Sequence, residues 1–325
     1  MKMNHPAVSI FMTIRNEAKD LAACVERVVN QDYPGEWEFI IAVGPSDDNT
    51  EQIARDISLK DPRIKIVPNP TGLTPQGLNL AVQSAQHDYF IRIDGHALIA
   101  PDYVRKIMQL FETTTAANVG GSMSPVGESP TTRAVAYAMS SRFGIGGAAF
   151  HTGGSAGPQP TVYLGAFRRA AFEQVGGYDE FFVRAQDWEL NYRLRKAGQV
   201  IWFDPEIATR YHPRSSWRAF AKQQFRTGGW RRRVISRHKD TWSLRYLAPP
   251  AALLAIIAGI IVGSFGFAVP YLFAGLGVPL LYVLGVTAIG LADSRQLPMS
   301  TRVRVPLAMG IMHMSWGAGF LLKAK

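Results

Sequence analysis

The sequence predicts an α/β fold, with a mostly parallel, Rossmann-like sheet in its first part and transmembrane helices behind it. Over the first 240 residues, short apolar, β-branched runs alternate with longer segments of helical pattern, which is typical of βαβ units. From Leu247 to Ala292 no residue is charged, and this run far exceeds the roughly 20 apolar residues that cross a bilayer once. We therefore expect two domains, at residues 1–240 and 241–325.

Four apolar runs supply the first predicted strands. They are "AVSIFMTI", "WEFIIAV", "RIKIV" and "YFIRI", and helical segments at residues 18–30, 49–60 and 74–86 separate them. In an open parallel sheet, ligands bind beside the carboxyl ends of the strands. Polar residues that directly follow these runs are therefore the candidates for a binding site.

The uncharged run is long enough for two crossings, with Pro270 near the turn between them. The alternative is a helical hairpin buried in a soluble protein. Arginines gather on both flanks, among them Arg233 and Arg245 before the run and Arg302 after it, and such residues collect on the cytoplasmic side of membranes. This favours crossings with both flanks in the cytoplasm. A further uncharged segment, residues 305–322, either spans the membrane or lies in its interface.

Composition narrows the function classes. The chain has 35 Lys+Arg against 25 Asp+Glu, a net charge of +10, which favours an anionic partner. Its single cysteine, Cys24, excludes an intramolecular disulfide and a cysteine-based zinc site. The start, "MKMNHPAVSIF", lacks a signal-peptide pattern, so we expect it to stay in the cytoplasm. Nucleic-acid binding is disfavoured, because much of the basic excess lies beside the apolar segments and no aromatic-rich nucleic-acid motif is present.

The first two strand ends carry polar residues that allow two interpretations each. "TIRNEAKDL" places Thr13, Arg15, Asn16 and Glu17 at a helix start, where free backbone amides can bind an anion or a nucleotide. Capping of the helix by Asn16 is equally compatible with these residues. Residues 46–50, in "VGPSDDNT", either cap the next helix or hold a ribose and base.

The fourth run ends in "IDGHA". Asp94 and His96 are separated by one glycine, so both can reach one divalent ion if the chain leaves the strand in a turn. Such an ion would neutralise a diphosphate leaving group. The alternative is that Asp94 caps the loop and His96 is a satisfied surface residue.

Two later segments carry further candidates. Asp187 and Glu189 lie at the start of a predicted helix at residues 186–197, where they are either a general base and its neighbour or simply acids favoured by the helix dipole. Gln223 and Arg226 precede a run of arginines. That run can pair with phosphates and also meet anionic lipid headgroups as a juxtamembrane belt.

Taken in order, these segments resemble the family 2 glycosyltransferases of the GT-A fold, especially the membrane-attached enzymes that build bacterial exopolysaccharides of the succinoglycan type. The resemblance covers nearly the whole chain. Each motif alone is a loose pattern, but the occurrence of all seven in the family's order is specific. They are "SIFMTIRNEA", "PSDDNT", "NPTGLTPQGLN", "IRIDGHA", "YLGAFRRAAFEQVGGYDE", "QDWELNYRLRKAG" and "QQFRTGGWR".

The resemblance implies a role for each candidate. Thr13, Arg15 and Glu17 would line the nucleotide pocket, and Asn79 would lie near the donor. Asp94 would match the acidic metal-binding motif, with His96 as a candidate second ligand. Asp187 would match the catalytic base, and Gln223 and Arg226 would partly match a Gln-x-x-Arg-Trp element beside the diphosphate and acceptor.

The sequence departs from the family pattern at four places. Gly44, Pro45 and Ser46 stand where an Asp-Asp-Gly-Ser element is usual, so Asp47 or Asp48 would have to contact the base. His96 replaces the second aspartate of the metal motif. Gln186 replaces the glutamate before Asp187, and Thr227 stands where tryptophan follows the arginine.

The activity implied is inverting transfer of a hexosyl group from a nucleotide diphosphate sugar to a lipid-linked or polysaccharide acceptor, with Mg²⁺ or Mn²⁺. The catalytic domain would be cytoplasmic and attached to the inner membrane, with other polysaccharide assembly proteins as candidate partners. The departures keep an alternative open, which is a catalytically inactive membrane protein that binds nucleotide sugar or anionic glycolipid. Nucleic acid is not an expected partner.

Overall fold

The structure is a computed structural model that describes residues 5–323. Residues 1–4, part of the N-terminal stretch discussed above, lie outside the described residues. The described chain forms two compact units. One comprises the residues up to Ser124 together with Gly153–Tyr211, and the other comprises Pro125–Thr152 together with the residues from His212 onward. The domain boundary expected at residue 240 stays a prediction.

The first unit is built on an eight-stranded sheet with the order β3-β2-β1-β4-β7-β5-β8-β6. The strands are β1 (Val8–Ile14), β2 (Trp37–Val43), β3 (Ile64–Pro68), β4 (Tyr89–Arg92), β5 (Asn118–Pro125), β6 (Gly157–Pro158), β7 (Tyr163–Arg168) and β8 (Ile201–Tyr211). The ladders among β1, β2, β3 and β4 are parallel, and those that join β4 to β7, β7 to β5 and β8 to β6 are antiparallel. The predicted α/β fold and its four parallel strands are confirmed.

Helices alternate with the parallel strands and cover both faces of the sheet. In chain order the helices are α1 (Leu21–Val29), α2 (Thr50–Lys60), α3 (Thr74–Gln83), α4 (Tyr103–Thr113), α5 (Pro130–Ser140), α6 (Ala149–Thr152), α7 (Arg169–Gln174), α8 (Gln186–Lys196), α9 (Trp217–Arg237), α10 (Ala248–Ser264), α11 (Gly277–Asp293), α12 (Met299–Arg302) and α13 (Val305–Leu322). The core on one face joins alternate residues of β1 and β2 to the apolar sides of α1 and α4. The three helical segments expected between the first strands correspond to α1, α2 and α3.

One carboxylate is buried at the amino-terminal edge of the sheet. Glu38, on β2, is 5% exposed and accepts hydrogen bonds from the Ser9 hydroxyl (2.7 Å), the Gln86 backbone amide (2.6 Å) and the Lys65 ammonium (2.7 Å). Burial alone would raise the pKa of Glu38, but the bonds from Lys65, Ser9 and Gln86 outweigh it and lower that pKa. The carboxylate thus ties β1, β2, β3 and the segment before β4 together.

The second unit contains α5, α6 and the helices from α9 onward. Three of its helical stretches are long and apolar enough to cross a membrane, namely Leu244–Phe267, Pro270–Asp293 and Met299–Leu322. The first two correspond to the two expected crossings, and short 3₁₀ helices at Phe265–Phe267 and Pro270–Leu276 form the turn between α10 and α11. The fold class expected for this part of the chain, C-terminal helices of membrane type, is confirmed.

The Glu38→Ala substitution is expected to lower the free energy of unfolding by about 2 kcal/mol, because it leaves the buried Ser9 hydroxyl, the Gln86 amide and the Lys65 ammonium without their shared acceptor. Because the pKa of Glu38 is lowered in the folded protein, its contribution is present above the unfolded pKa and is lost as the pH falls through the folded value. Unfolding midpoints at pH 7 and pH 4 measure both effects. Glu26→Ala, on the exposed side of α1, is the matched control, and an equal loss in both variants would contradict this role of Glu38.

Candidate functional site

The loops after β1 and β2 are joined at the carboxyl edge of the sheet. Asn16 has a φ of +55°, and this left-handed conformation turns its backbone amide toward the Ser46 hydroxyl (3.1 Å). The Asn16 side-chain oxygen accepts a hydrogen bond from the Asp47 backbone amide (2.8 Å). Asn16 therefore links the two loops to each other, and it makes no side-chain cap on α1.

Asp48 and Thr50 extend this link. The Asp48 carboxylate accepts hydrogen bonds from the backbone amides of Ala18 (3.2 Å) and Thr50 (3.0 Å), and the Thr50 hydroxyl accepts one from the Glu17 amide (2.7 Å). The bond from the Thr50 hydroxyl is the main reason that the pKa of Asp48 is lowered. Asp48 is therefore ionised and oriented by backbone amides at the place where the resemblance expects a nucleotide.

Thr13 and Arg15 lie at the same edge in different surroundings. The Thr13 hydroxyl donates a hydrogen bond to the Ala42 carbonyl (3.2 Å) and accepts one from the side-chain amide of the buried Asn69 (3.3 Å). Arg15 is exposed, and within residues 5–323 no hydrogen bond or ion pair engages its guanidinium. Arg15 thus offers an available cation beside the β1 end, whereas Thr13 is part of the packing of the strand end.

The segment after β4 closes onto the β1 loop. Gly95 packs so closely there that a Cβ would lie 2.9 Å from Cγ2 of Ile14 and 3.2 Å from Cγ of Glu17. This close approach brings Nδ1 of His96 to 3.1 Å from Oε1 of Glu17. His96 and Glu17, expected to serve a metal and a nucleotide respectively, are therefore direct neighbours.

Asp94 is held by an arginine from its own strand. Arg92 is 3% exposed, and its Nε and Nη2 donate to the same oxygen of Asp94, Oδ1, at 3.2 and 2.9 Å. The other oxygen, Oδ2, receives no hydrogen bond from any residue in the described part of the chain. One carboxylate oxygen is thus fixed and the other is available for a ligand.

The same arginine holds Asp187. Nη1 of Arg92 donates to Oδ1 of Asp187, which lies in the first turn of α8, as expected from the sequence. Burial raises the pKa of Asp187 to about 6, with Arg92 acting in the lowering direction and Asp94 in the raising direction. A carboxylate with a pKa near neutrality and 28% of its side chain exposed has the properties of a general base.

Two other candidates are occupied by structural contacts. Asn79 uses its oxygen to accept from the Tyr178 amide (3.0 Å) and its nitrogen to donate to the Tyr178 carbonyl (2.9 Å). Glu189 is 1% exposed and pairs with Arg193 (2.7 Å), which also donates to the Gly177 carbonyl (2.7 Å). Both residues therefore fix the segment that leads from β7 to α8, and Tyr178 packs its ring beside Arg92.

No group of three or more His, Cys, Asp or Glu side chains within residues 5–323 is arranged to hold a metal ion. A Mg²⁺ or Mn²⁺ that also binds substrate phosphates needs only one or two carboxylates from the protein. The available Oδ2 of Asp94 fits that requirement.

Gln223 and Arg226 both lie on α9 in the second unit, where each is half-buried. Their expected role beside the diphosphate stays a prediction.

Arg92 is the site residue that sequence reasoning missed. It stands in "YFIRI", where every other residue is apolar. A charged residue inside a buried strand must find a partner, and this was the available signal. Its partner Asp187 is 95 residues away in the chain, which no local pattern could indicate.

Comparison with known proteins identifies the family of the chain. Residues 9–176, just over half of the chain, match the family model "Glycosyl transferase family 2". The succinoglycan biosynthesis protein ExoA of Rhizobium meliloti is 33% identical over 94% of this chain and 91% of its own length. A Methanococcus voltae dolichyl N-acetyl-alpha-D-glucosaminyl phosphate 3-beta-D-2,3-diacetamido-2,3-dideoxy-beta-D-glucuronosyltransferase is 26% identical over 96% and 95%.

Among solved structures, a mannosyltransferase from Pyrobaculum calidifontis in complex with GDP-Man and Mn²⁺ shares the fold. It has a TM-score of 0.60 and 16% identity, and the match covers 99% of this chain and 89% of that chain. This match shows the fold, while the family model and the relative that is 33% identical show the family. The chain belongs to glycosyl transferase family 2 and has the GT-A fold.

Proposed function

We propose that this glycosyltransferase moves a hexosyl group, with inversion, from a nucleotide diphosphate sugar to a hydroxyl of a lipid-linked or polysaccharide precursor. The names of two full-length relatives support the acceptor class, since one serves succinoglycan biosynthesis and the other is a glucuronosyltransferase named for a dolichyl-linked sugar. The observation that carries the proposal is the pair of carboxylates, Asp94 and Asp187, that share the buried Arg92 at the carboxyl edge of the sheet.

Asp187 is the proposed general base. Its carboxylate takes the proton of the acceptor hydroxyl while that oxygen attacks the anomeric carbon from the face opposite the diphosphate. Because burial raises the pKa of Asp187 to about 6, the group is mostly ionised at neutral pH and is still basic enough to accept a proton.

Asp94 is the proposed metal ligand, through the oxygen that Arg92 leaves available, with His96 as a candidate second ligand. A bound Mg²⁺ or Mn²⁺ would stabilise the charge of the departing diphosphate. The Mn²⁺ in the GDP-Man complex of the Pyrobaculum mannosyltransferase supports this choice of ions. His96 is held at the site by Glu17.

The nucleotide is proposed to bind over the joined β1 and β2 loops. The exposed guanidinium of Arg15 can pair with a phosphate, and Asp48 is the candidate for contact with the nucleoside. Thr13, Glu17 and Asn79 shape this edge through the packing described above. Gln223 and Arg226 remain the candidates for contact with the diphosphate or the acceptor.

We further propose attachment to the inner membrane with the catalytic domain in the cytoplasm. The arginines that flank the apolar helices support this side. Other polysaccharide assembly proteins are candidate partners, since the acceptor has to be delivered to the site and carried away from it.

The Asp187→Asn substitution is expected to lower kcat by about 100-fold or more, because an amide cannot accept the acceptor's proton, while donor binding stays near that of the unchanged protein. The assay measures release of free nucleoside diphosphate from a panel of nucleotide sugars, with Mg²⁺ or Mn²⁺ and a lipid-linked acceptor. Asp88→Asn, an exposed aspartate at the opposite end of β4, is the matched control.

Turnover by Asp187→Asn close to that of the control would remove Asp187 from the role of base. Tight donor binding by the unchanged protein with no turnover of any donor would instead favour the catalytically inactive binder.

The dependence of kcat/KM on pH is expected to show a base with a pKa near 6. Since the protonated carboxyl is inactive, activity should fall about tenfold per pH unit below 6, whereas an ordinary aspartate would delay this fall to about pH 4. Initial rates between pH 4.5 and 8 at low donor concentration give this profile. A profile that stays flat down to pH 5 would contradict the raised pKa.

A further inference from the structure

α10 and α11 form a hairpin whose open end can be identified from their contacts. A Cβ on Gly259 would lie 2.6 Å from the Gly275 carbonyl, and one on Gly263 would meet the Leu276 side chain. The turn at residues 264–276 therefore closes one end. The first residues of α10 and the last residues of α11 are at the other end.

α13 contacts both legs of the hairpin at that open end. Near its start, Pro306 packs on Gly290, where a Cβ would lie 3.0 Å from Cγ of Pro306. Eleven residues later, Gly317 packs against the Pro249 carbonyl, with a Cβ distance of 2.7 Å. Gly290 is three residues from the end of α11, and Pro249 is the second residue of α10. Since eleven helical residues span about 16 Å, this stretch runs from one leg to the other and not along them.

The middle of α13 touches a segment outside the apolar helices. Nε2 of His313 lies 2.8 Å from the carbonyl oxygen of Phe143, in the connection between α5 and α6, and Nδ1 lies 3.1 Å from the Tyr282 hydroxyl. A helix that crossed the hydrocarbon core would have carried its midpoint away from the α5–α6 connection.

The last turns of α13 pack on the most basic helix of the unit. The Arg232 guanidinium donates to the carbonyls of Phe320 (3.1 Å) and Leu321 (2.5 Å), and the Trp316 carbonyl lies against Gly228. Arginines of α9 include Arg226, Arg231, Arg232, Arg233 and Arg237. Helices with so many arginines are excluded from the hydrocarbon core, so this end of α13 is at the polar level of the bilayer.

We propose that α13 is not a third crossing but an interfacial helix that lies across the open end of the hairpin, in the headgroup layer of the bilayer. Its side toward the protein is buried through Val305, Ala308, Met309 and Met312, whereas Leu307 is 52% exposed and would face lipid in this arrangement. The arginines of α9 supply the charge that anionic headgroups complement. The chain then crosses the membrane twice, and both ends of α13 are on the cytoplasmic side.

Single cysteines introduced in a Cys24→Ala background test this topology, because that background has no other thiol. Ser300→Cys, in α12 just before α13, and Leu322→Cys, at the last residue of α13, mark the two sides of this helix, and both positions are exposed. Leu59→Cys on α2 and Phe267→Cys in the hairpin turn are the matched controls, at positions 85% and 90% exposed. The variants are labelled with a membrane-impermeant maleimide in right-side-out and inverted vesicles.

We expect Ser300→Cys, Leu322→Cys and Leu59→Cys to react only in inverted vesicles, and Phe267→Cys only in right-side-out vesicles. Reaction of Ser300→Cys and Leu322→Cys from opposite sides would overturn the proposal. A fluorophore on Leu307→Cys should be quenched more by shallow than by deep spin-labelled lipid, and the reverse order would also overturn it. If Phe267→Cys reacted from the same side as Leu59→Cys, the hairpin itself would not cross, and the proposed membrane attachment would fail instead.

A separate observation concerns Arg92 and rests on the proposed function. Its guanidinium uses three nitrogens on two carboxylates that come from different elements, β4 and α8. Lysine has one nitrogen and cannot reproduce this planar bridge. We infer that Arg92 is a positioning residue that sets Asp187 relative to Asp94, and thereby the base relative to the leaving group.

The Arg92→Lys substitution tests this inference. We expect kcat to fall about 100-fold, since a misplacement of the reacting groups by about 1 Å has an effect of that size, while the donor KM changes by less than about threefold. Arg168→Lys is the matched control, because Arg168 is held by the carbonyls of Ala116, Phe111 and Thr114. If Arg92 had only a structural role, Arg92→Lys would behave like Arg168→Lys. Both substitutions would lower the unfolding midpoint and leave kcat per folded molecule unchanged.

A kcat of Arg92→Lys within about threefold of the unchanged protein, at equal folded fraction, would overturn the inference and leave the proposed function intact. Absence of turnover in the unchanged protein would refute the proposed function itself.

Discussion

A buried guanidinium between two carboxylates is the interaction on which the site depends. Arg92 is 3% exposed, and a charge in that position is tolerated only where it is paired and hydrogen-bonded. Asp94 and Asp187 supply that pairing, so the end of β4 and the start of α8 are held to one point although the chain between them is long. Glu189, Arg193 and Asn79 fix the segment that delivers α8 to this place.

The two carboxylates that share Arg92 differ in their surroundings. Both aspartates contact the same cation, but Asp187 is the one whose pKa burial raises to about 6. This difference favours Asp187 over Asp94 as the proposed base.

Much of the fold was predictable from the sequence, and the site only in part. The βαβ alternation and the uncharged C-terminal run are local patterns, and the four parallel strands, the helices between them and the apolar helices follow from them. The position of Asp187 in the first turn of α8 was predictable for the same reason. The link between Arg92 and Asp187 was not, because 95 residues separate them. Asn79 illustrates a second limit of sequence reasoning. The resemblance implied a position near the donor, but nothing in the sequence indicated that both polar atoms of the Asn79 side chain bond the Tyr178 backbone.

The backbone conformation of the residue before α8 affects the placement of Asp187. Ala185 has a φ of +60°, a left-handed conformation that costs an ordinary residue roughly 1–2 kcal/mol. It lies two residues before Asp187, so the surrounding packing holds the backbone there against its local preference. The proposed base would thus be preorganised, with its placement set before an acceptor arrives. A conformation that is unfavourable for one alanine would then reduce the reorganisation that the proposed reaction requires.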